Sequence, residues 1–548
     1  MKANWRSALF LLLAFSAGCG GGSMTSPPPP PPAVDAQVQI ASTVTGPLNL
    51  AMSTSFQPAE WDDQFFSINP SATTTFGNLL PQHARLQGIS QGVPQGTAGS
   101  TSTAWDFTVL DAITQPVLSV SDHSPEFQIA KAPPFMYTGD NSSNDFADLT
   151  FQQFAAYGQN LVLYYNKGGF TANGQTYVSP SYPTNTITWW GIYNEPNINN
   201  SLTPQQYVTM YNKLVPAMQA IDPSLKFAAV ELADFSGQPQ AWLPAFVDAA
   251  TGVTAQVDVM ATHFYSSCNQ KDDDATVFAT IKNNFVPDIQ FFYSEMATNP
   301  ALASVPVWVT ENNVNADFDK GGGISACNGT PFVVDRRGSS AFFAAWRPYV
   351  FSQFAKAGVQ ALYHWDFDAD AQFGEVDYNT GGLQLSYWVD YWLARMFPAS
   401  SGANILQSTN TGDTEIEVLA AQNPDGSIVI MLANHAVNAS SDNNGSGAPR
   451  TIGIDVSALR SFHSGSLLTI RRQHQCDRRS GTNLSRSQPA DESVARRIRR
   501  GILDAEIASF LISSHYTAYV ALSLFLIEVF PPPADRPKSR PEENNDVS

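Results

Sequence analysis

The sequence has little cysteine and little positive charge. Four Cys in 548 residues are too few for a disulfide-stabilised scaffold. The 29 Lys and Arg are outnumbered by 48 Asp and Glu, which gives a formal net charge of −19. This charge argues against a nucleic-acid partner, because binding phosphate requires a basic surface. The chain also lacks the His-Glu-x-x-His motif of zinc hydrolases.

Aromatic and aliphatic residues are abundant. Hydrophobic residues make up 43% of the chain, with 34 Phe, 18 Tyr and 11 Trp, and only 14% of the residues are charged. This composition favours a large packed core over disorder. The length is sufficient for two or three domains.

The N-terminus is typical of an export signal. Lys2 and Arg6 precede the apolar run "ALFLLLAF", which is too short to span a bilayer as a mature helix. The run ends in "SAGC", which resembles a bacterial lipoprotein box with Cys19 as the lipidated residue. We expect a lipoprotein-type signal peptide over 1–19 and a Gly/Ser/Pro-rich tether over 20–36. The predicted location is the bacterial cell envelope, with the lipid as the sole membrane anchor; plain secretion is the alternative.

Short apolar segments alternate with longer amphipathic ones from residue 37 to residue 398. The predicted helices include 148–166, 203–221 with Thr203 as N-cap, 339–358 and 385–397. The predicted strands are 83–89, 103–109, 127–135, 186–194, 225–232, 257–265, 305–311 and 359–367. Eight strands alternating with helices predict an α/β fold, a TIM (β/α)8 barrel over 37–398.

The pattern changes after the barrel. Residues 399–470 alternate like strands and include an "NPDG" turn, which predicts a small C-terminal β-sandwich, expected to be truncated. Residues 471–548 form an aberrant tail that is rich in Arg at first and apolar from 510 to 530. A basic patch for an anionic partner is one interpretation; we favour the product of a shifted reading frame. Sequencing the DNA across codons 465–475 tests this hypothesis.

Two glutamates are predicted to lie at the mouth of the barrel. Glu195 ends the fourth predicted strand in "YNEPN", and Glu311 ends the seventh in "PVWVTENN". Catalytic groups of TIM barrels lie at the C-terminal ends of the strands. Glycoside hydrolysis needs two carboxyl groups, one that protonates the leaving oxygen and one that attacks the sugar or activates water. A solvated strand-end carboxylate is the alternative for each.

These motifs resemble the retaining barrel glycosidases. "NEP" after strand four, a strand-seven Glu, "HFY" at the end of strand six and a strand-eight Trp are most similar to glycoside hydrolase family 39, the β-xylosidase and α-L-iduronidase family. The resemblance implies that Glu195 is the general acid/base and Glu311 the nucleophile. It also implies net retention, with carboxyl groups about 5–5.5 Å apart.

Supporting roles follow by position from the same resemblance. Asn194 is expected to bind the sugar 2-OH, and Arg85 on the first predicted strand to keep the nucleophile ionised, with a plain structural ion pair as the alternative. His263 and Tyr265 are expected to orient the nucleophile, and Trp365 to form a platform under a sugar ring. A structural histidine and a core tryptophan are the alternatives.

In the predicted barrel, Cys268 and Cys327 lie in neighbouring loops on the catalytic face, and we expect a disulfide between them. No cofactor or metal is expected, because the acidic stretch 272–274 lacks the ligand spacing of a calcium loop. The predicted function is a glycosidase acting on an extracellular or periplasmic oligo- or polysaccharide. The alternative is a non-catalytic carbohydrate-binding barrel protein at the cell surface.

Overall fold

The computed structural model describes most of the chain from residue 34 onwards. The predicted lipidation site, Cys19, lies outside the described residues. The described residues are 34–56, 65–79, 84–87, 93–96, 103–120, 126–138, 145–184, 186–198, 202–234, 239–459, 464–472, 503–510, 515–520 and 523–530.

Strands and helices alternate through the first four hundred residues, and strands alone follow. The strands are β1 (Ala36–Pro47), β2 (Ala51–Phe56), β3 (Ala84–Gln87), β4 (Glu126–Ile129), β5 (Gly169–Ala172), β6 (Gln175–Val178), β7 (Trp189–Ile192), β8 (Lys226–Asp234), β9 (Val259–Ser267), β10 (Val307–Asn315), β11 (Ala361–His364), β12 (Asp368–Ala369), β13 (Val376–Asp377), β14 (Asn404–Gly412), β15 (Ile416–Gln422), β16 (Ile428–Asn434), β17 (Arg450–Asp455), β18 (Ser464–Arg472), β19 (Leu503–Phe510), β20 (His515–Val520) and β21 (Ser523–Phe530). The α-helices are α1 (Phe65–Ile68), α2 (Ala72–Gly77), α3 (Thr108–Val120), α4 (Gln152–Lys167), α5 (Pro204–Gln219), α6 (Pro239–Val247), α7 (Asp274–Thr280), α8 (Val286–Met296), α9 (Phe343–Ala357) and α10 (Leu385–Met396).

Eight parallel strands close into the predicted barrel. Their order around the barrel is β2, β3, β4, β7, β8, β9, β10 and β11. One apolar cluster, which includes Trp308 and Tyr363, is contributed by the barrel strands themselves. Alternate residues of the same strands, such as Val307, Val309 and Leu362, join the larger core that includes the helices. The (β/α)8 prediction is confirmed.

Seven of the eight predicted segments contain a barrel strand; segment 103–109 does not, and the first barrel strand was missed. The first barrel strand is β2, whose buried Ser and Thr side chains hide it in the sequence; Ser55 Oγ donates to the Thr310 carbonyl. Segment 83–89 therefore contains the second barrel strand, β3. Segment 103–109 is not a barrel strand, because its alternating Trp105 and Phe107 pack against the aromatic residues of α4, with Phe107 stacked 3.6 Å from Tyr164.

The four predicted helices are confirmed to within a few residues. Thr203 caps α5: its hydroxyl accepts from the Gln206 N–H at 3.2 Å, while Gln206 Oε1 accepts from the Thr203 N–H at 2.7 Å. Gly358 ends α9 with a φ of 86°, a left-handed conformation that favours glycine.

The remaining strands build a nine-stranded mixed sheet in the order β19, β18, β21, β16, β15, β14, β1, β17 and β20. One face packs on the barrel, where Lys356 of α9 donates to Glu417 at 2.6 Å; the other encloses a second apolar core. Because β1 belongs to this sheet, the predicted barrel range 37–398 includes a strand of the other layer. The sheet also contains three tail strands, β19 to β21, and is therefore more complete than the truncated sandwich that we expected.

The apolar stretch of the tail forms strands in this sheet. Strand β21 pairs antiparallel with both β16 and β18, and β20 pairs with β17. None of the helices in the described ranges is long and apolar enough to cross a membrane. The shifted reading frame stays a prediction, since it concerns the DNA.

Candidate active site

Strained backbone surrounds Glu195 at the end of β7. Tyr193 and Glu195 have φ angles of 69° and 45°, a region that side-chain-bearing residues rarely adopt. The Glu195 N–H donates to the carbonyl of Glu231, which follows on the next strand, β8, at 3.0 Å. Such strain is typical of functional sites, where it turns a side chain in a direction that a regular strand does not allow.

Glu311 is held by donors on both of its oxygens. Arg85 Nη1 donates to Oε1 at 2.7 Å, and the Tyr265 hydroxyl donates to Oε2 at 2.7 Å. Burial and the charge of Glu311 raise the pKa of the Tyr265 hydroxyl well above its ordinary value, so it remains a donor. One of the two donors is a guanidinium, whose positive charge complements the carboxylate that a nucleophile needs.

Glu195 and Glu311 both face the side chain of His263. His263 Nδ1 lies 3.0 Å from Glu195 Oε1 and 3.5 Å from Glu311 Oε2. A carboxylate oxygen of each glutamate lies within 4.8 Å of the other. This separation is compatible with a retaining site and leaves less room than an inverting site needs for its water. The Glu195 side chain is 14% exposed and that of Glu311 6%.

Arg85 is the centre of the charge network. It is fully buried, and its Nη2 donates to Asn194 Oδ1 at 2.9 Å and approaches Glu231 Oε2 at 3.4 Å. Asn194 Oδ1 also accepts from Gln128 Nε2 at 3.2 Å, so two donors orient its amide. The guanidinium carbon lies 5.9 Å from the centroid of the Trp365 ring. Arg85 is thus an ion-pair partner of the candidate nucleophile, as predicted, but it lies on the second barrel strand.

Both ring nitrogens of His263 face carboxyl groups of the site. Its Nε2 lies 3.1 Å from Glu231 Oε2, and its Nδ1 lies between the carboxylates of Glu195 and Glu311. Burial alone would lower the pKa of His263, but the carboxylates of Glu311, Glu195 and Glu231 raise it to about 9. The imidazolium therefore donates in both directions at neutral pH.

The structure also joins Cys268 and Cys327 in a disulfide with Cα atoms 5.8 Å apart. The bond links the end of the β9 segment to the loop that follows β10, the strand of Glu311. It therefore connects two segments on the face where the candidate catalytic residues lie.

Sequence reasoning missed two buried carboxyl groups of the site. Glu231 lies in β8, and Glu126 begins β4; both are fully buried. Burial and the charge of Glu231 raise the pKa of Glu126 well above its ordinary value, so it is a neutral acid. Neighbouring cations, chiefly Arg85, outweigh burial and lower the pKa of Glu231. A charged residue inside an apolar strand, as in "KFAAVELAD", is the signal that could have identified Glu231.

Two groups of described residues bring three potential metal-ligand atoms within 4.8 Å of one another. One is Glu195, His263 and Glu311, and the other is His364, Glu375 and Asp390. In each group a guanidinium already binds a carboxylate: Arg85 binds Glu311, and Arg347 binds Asp390 through two N–H groups at 3.0 Å. In both groups, therefore, an arginine side chain supplies the positive charge that faces the carboxylate.

The comparisons with known proteins agree with this site. The family model described as "Glycosyl hydrolase catalytic core" matches residues 184–328, which include both Glu195 and Glu311. No curated protein sequence matches the chain. A monomeric β-xylosidase from Caulobacter crescentus superposes with a TM-score of 0.59 and 17% identity, over 90% of this chain and 99% of that one.

Two further structures have a similar fold. The family 39 enzyme from Xanthomonas axonopodis pv. citri has a TM-score of 0.57 and 14% identity, over 91% of this chain and 98% of that one. A bacterial orthologue of human α-L-iduronidase has a TM-score of 0.59 and 16% identity, over 92% and 85%. The predicted resemblance to barrel glycoside hydrolases of the family 39 type is confirmed for the fold and the catalytic-core segment. Together these matches support a glycosidase.

Proposed function

We propose that this protein hydrolyses O-glycosidic bonds with retention, with Glu311 as nucleophile and Glu195 as general acid/base. The observation that carries the proposal is that Glu195, just after β7, and Glu311, within β10, both lie within 3.5 Å of one imidazole nitrogen, while a guanidinium binds Glu311. The asymmetry separates their roles, since Arg85 and Tyr265 donate to both oxygens of Glu311, whereas Glu195 is the more exposed of the two.

The reaction then has two steps. Glu311 attacks the anomeric carbon while Glu195 gives its proton to the leaving oxygen, and a glycosyl–enzyme ester forms. Glu195, now a carboxylate, removes a proton from water, which attacks the same carbon and releases Glu311. Asn194 lies beside Glu195 in the chain, with its oxygen held by Arg85 and Gln128, and is placed to bind the sugar. Trp365 packs against Arg85 and is placed to line the same subsite.

We further propose that the substrate is an oligo- or polysaccharide outside the cytoplasm and that the enzyme is anchored through Cys19. The N-terminal lipoprotein-type signal and tether support this location. Replacing Cys19 with Ser should release the protein from the membrane fraction and abolish incorporation of labelled palmitate. Unchanged membrane association of this variant would refute the anchor and leave the catalytic proposal intact.

The catalytic test begins with a screen of aryl glycosides and polysaccharides against the wild-type protein. Glu311→Ala and Glu195→Ala should each lower kcat by about 10² to 10⁴ or more on an unactivated substrate. The matched control is Glu295→Gln at the end of α8, away from the site, which should retain wild-type rates. NMR of the first-formed product should show the anomeric configuration of the substrate.

Two results would overturn the proposal. Inversion at the anomeric carbon would exclude Glu311 as a covalent nucleophile. Turnover that survives in Glu311→Gln would place the chemistry elsewhere. Saturable sugar binding without turnover, unaffected by either alanine variant, would instead favour the carbohydrate-binding alternative.

A further inference from the structure

The buried carboxyl groups beneath the site have features that a structural ion pair does not explain. The backbone of β8 leaves regular geometry at Val230 and Glu231, whose φ angles are 72° and 41°. The pairing register with β9 shifts between Ala229 and Leu232. A bulge of this kind re-aims a side chain and is common next to active sites. A β-branched residue at positive φ is costly, so this conformation indicates that the position of Glu231 matters.

The bulge brings Glu231 Oε2 to three donors. It accepts from Thr310 Oγ1 at 2.7 Å and lies 3.1 Å from His263 Nε2 and 3.4 Å from Arg85 Nη2. An oxygen that accepts from the Thr310 hydroxyl and faces the Arg85 guanidinium is a carboxylate oxygen, so the His263 Nε2 that faces it is assigned a hydrogen. The other nitrogen, Nδ1, lies 3.0 Å from Glu195 Oε1 and 3.5 Å from Glu311 Oε2, so a hydrogen on it has an acceptor on either side.

Glu126 completes the arrangement. Its two oxygens and Glu231 Oε1 have no hydrogen-bond partner among the described residues, although all three are buried. The two carboxyl groups meet over Gly191, where a Cβ would lie 2.5 Å from Glu126 Oε1 and 2.9 Å from Glu231 Oε1. A protonated Glu126 supplies the hydrogen that Glu231 Oε1 otherwise lacks.

We propose that Glu126 and Glu231 act as one acid–carboxylate unit that holds His263 as an imidazolium directed at Glu195. Glu231 is thus a positioning residue for acid catalysis. Because His263 Nδ1–H occupies Glu195 Oε1, the proton that Glu195 delivers is carried by its other oxygen, Oε2. A neutral His263 with an open Nδ1 lone pair would instead accept the proton of Glu195 and hold it away from the leaving group. This inference rests on the proposed function.

The decisive variant is Glu231→Gln, which keeps the shape and removes the charge. It is measured on two aryl glycosides of the sugar that the wild type hydrolyses, one with a highly activated leaving group (2,4-dinitrophenol) and one with phenol. Acid assistance contributes about 10² to 10⁴ and matters little for the activated phenol. Glu231→Gln should therefore lose at least about tenfold more kcat/KM on the phenyl glycoside than on the dinitrophenyl glycoside.

Two further measurements separate positioning from folding. Thr310→Val, nearly isosteric, removes one donor to Glu231 and should give a smaller loss with the same preference for the phenyl glycoside. Ring-nitrogen NMR of labelled histidine, assigned with His263→Asn, should show His263 as an imidazolium at pH 7.5 in the wild type. In Glu231→Gln, its titration should move at least one pH unit lower.

Substitutions at Glu126 test the pair itself. Glu126→Ala removes the donor and should lower the phenyl to dinitrophenyl ratio of kcat/KM, and Glu126→Gln should restore it, because the amide donates as the protonated acid does. Glu375→Gln is the matched control: it is another fully buried carboxyl without hydrogen-bond partners among the described residues, beside Asp390, and should leave the ratio unchanged.

The outcomes distinguish the two proposals. If Glu195→Ala and Glu311→Ala keep wild-type turnover, the proposed function fails. If those variants lose turnover while Glu231→Gln loses equally on both glycosides, or loses nothing, the positioning role is overturned alone. A wild-type His263 that is neutral at pH 7.5 would also overturn it.

Discussion

Gly191 leaves space for the buried carboxyl groups of Glu126 and Glu231, and replacing it with Ala tests how closely they approach it. The alanine Cβ would lie 2.5 Å from Glu126 Oε1, 2.9 Å from Glu231 Oε1 and 3.0 Å from Gln128 Cγ. All three side chains are buried, so none can move into solvent. Restoring ordinary contact needs a shift of about 1 Å, since non-bonded heavy atoms prefer about 3.5–4.0 Å.

The expected cost has two parts. Overpacking of a buried site costs about 1–3 kcal/mol. Displacing Glu231 also weakens its hydrogen bonds to Thr310 and His263, each worth about 0.5–1.5 kcal/mol or more for a charged acceptor. We therefore expect Gly191→Ala to lower the free energy of unfolding by about 2–4 kcal/mol, and to lower turnover with it.

A double-mutant cycle with Glu126→Ala makes the test specific. Truncating Glu126 removes the oxygen that lies closest to the new Cβ and leaves room for Glu231 to shift, so Gly191→Ala should cost at least about 1 kcal/mol less in that background. Urea unfolding of the four proteins, followed by tryptophan fluorescence, measures the effect. The control is Gly46→Ala in β1, where nothing lies within 4 Å of the added Cβ. Equal costs of Gly191→Ala in both backgrounds would refute the close approach.

Three further results are expected. Arg85→Ala should lower the free energy of unfolding by about 3–5 kcal/mol, because the buried charge of Glu311 loses its guanidinium partner. Arg85→Lys should recover part of that free energy but little kcat, since one ammonium cannot replace the guanidinium fork; full recovery of both by Lys would contradict this. The folded pKa of His263 is raised to about 9 from 6.5, so its contribution to stability is complete below pH 6.5 and is lost as the pH rises through 9. The free energy of unfolding of the wild type, measured in urea, should fall across that window by up to about 3 kcal/mol, and that of His263→Asn should not. Reducing the Cys268–Cys327 bond, which closes a separation of 59 residues, should cost about 4 kcal/mol, and free thiols detected by alkylation in the untreated protein would disprove the bond.

The barrel strands were predictable from the sequence where they are apolar, and the prediction fails where a strand is polar. Seven of the eight predicted segments contain barrel strands, most of them because both faces of a parallel strand are buried and the sequence shows an apolar run. Strand β2, "AMSTSF", has the opposite composition, and two of its hydroxyls donate to carbonyls of other barrel strands, Thr54 Oγ1 to His364 and Ser55 Oγ to Thr310. Only the fold supplies those acceptors.

The candidate site was predictable to the extent that its residues end strands. Glu195, Glu311, His263 and Tyr265 lie at the ends of the apolar runs from which their strands were predicted, and the structure brings them together, although β9 and β10 continue past them. Glu231 does not follow from the period of its strand, because the bulge at Val230 changes the face to which the side chain points. A regular two-residue period would assign it to the other face.

The buried charges also explain why a neutral acid lies beneath the site. Arg85 and His263 supply two positive charges, and Glu311 and Glu231 supply two negative ones. A third carboxylate would leave the buried group with an unpaired negative charge, so Glu126 keeps its proton. The same combination recurs beside β11, where Arg347 pairs with Asp390 and burial raises the pKa of Glu375. The two groups differ in one respect. Only the first contains an imidazolium, that of His263, which contacts both Glu195 and Glu311, the residues proposed to act on the sugar. Charge balance therefore explains why each group contains a neutral acid. Of the two groups, only Glu126 and Glu231 are linked to the proposed catalysis, because His263 joins them to the catalytic glutamates.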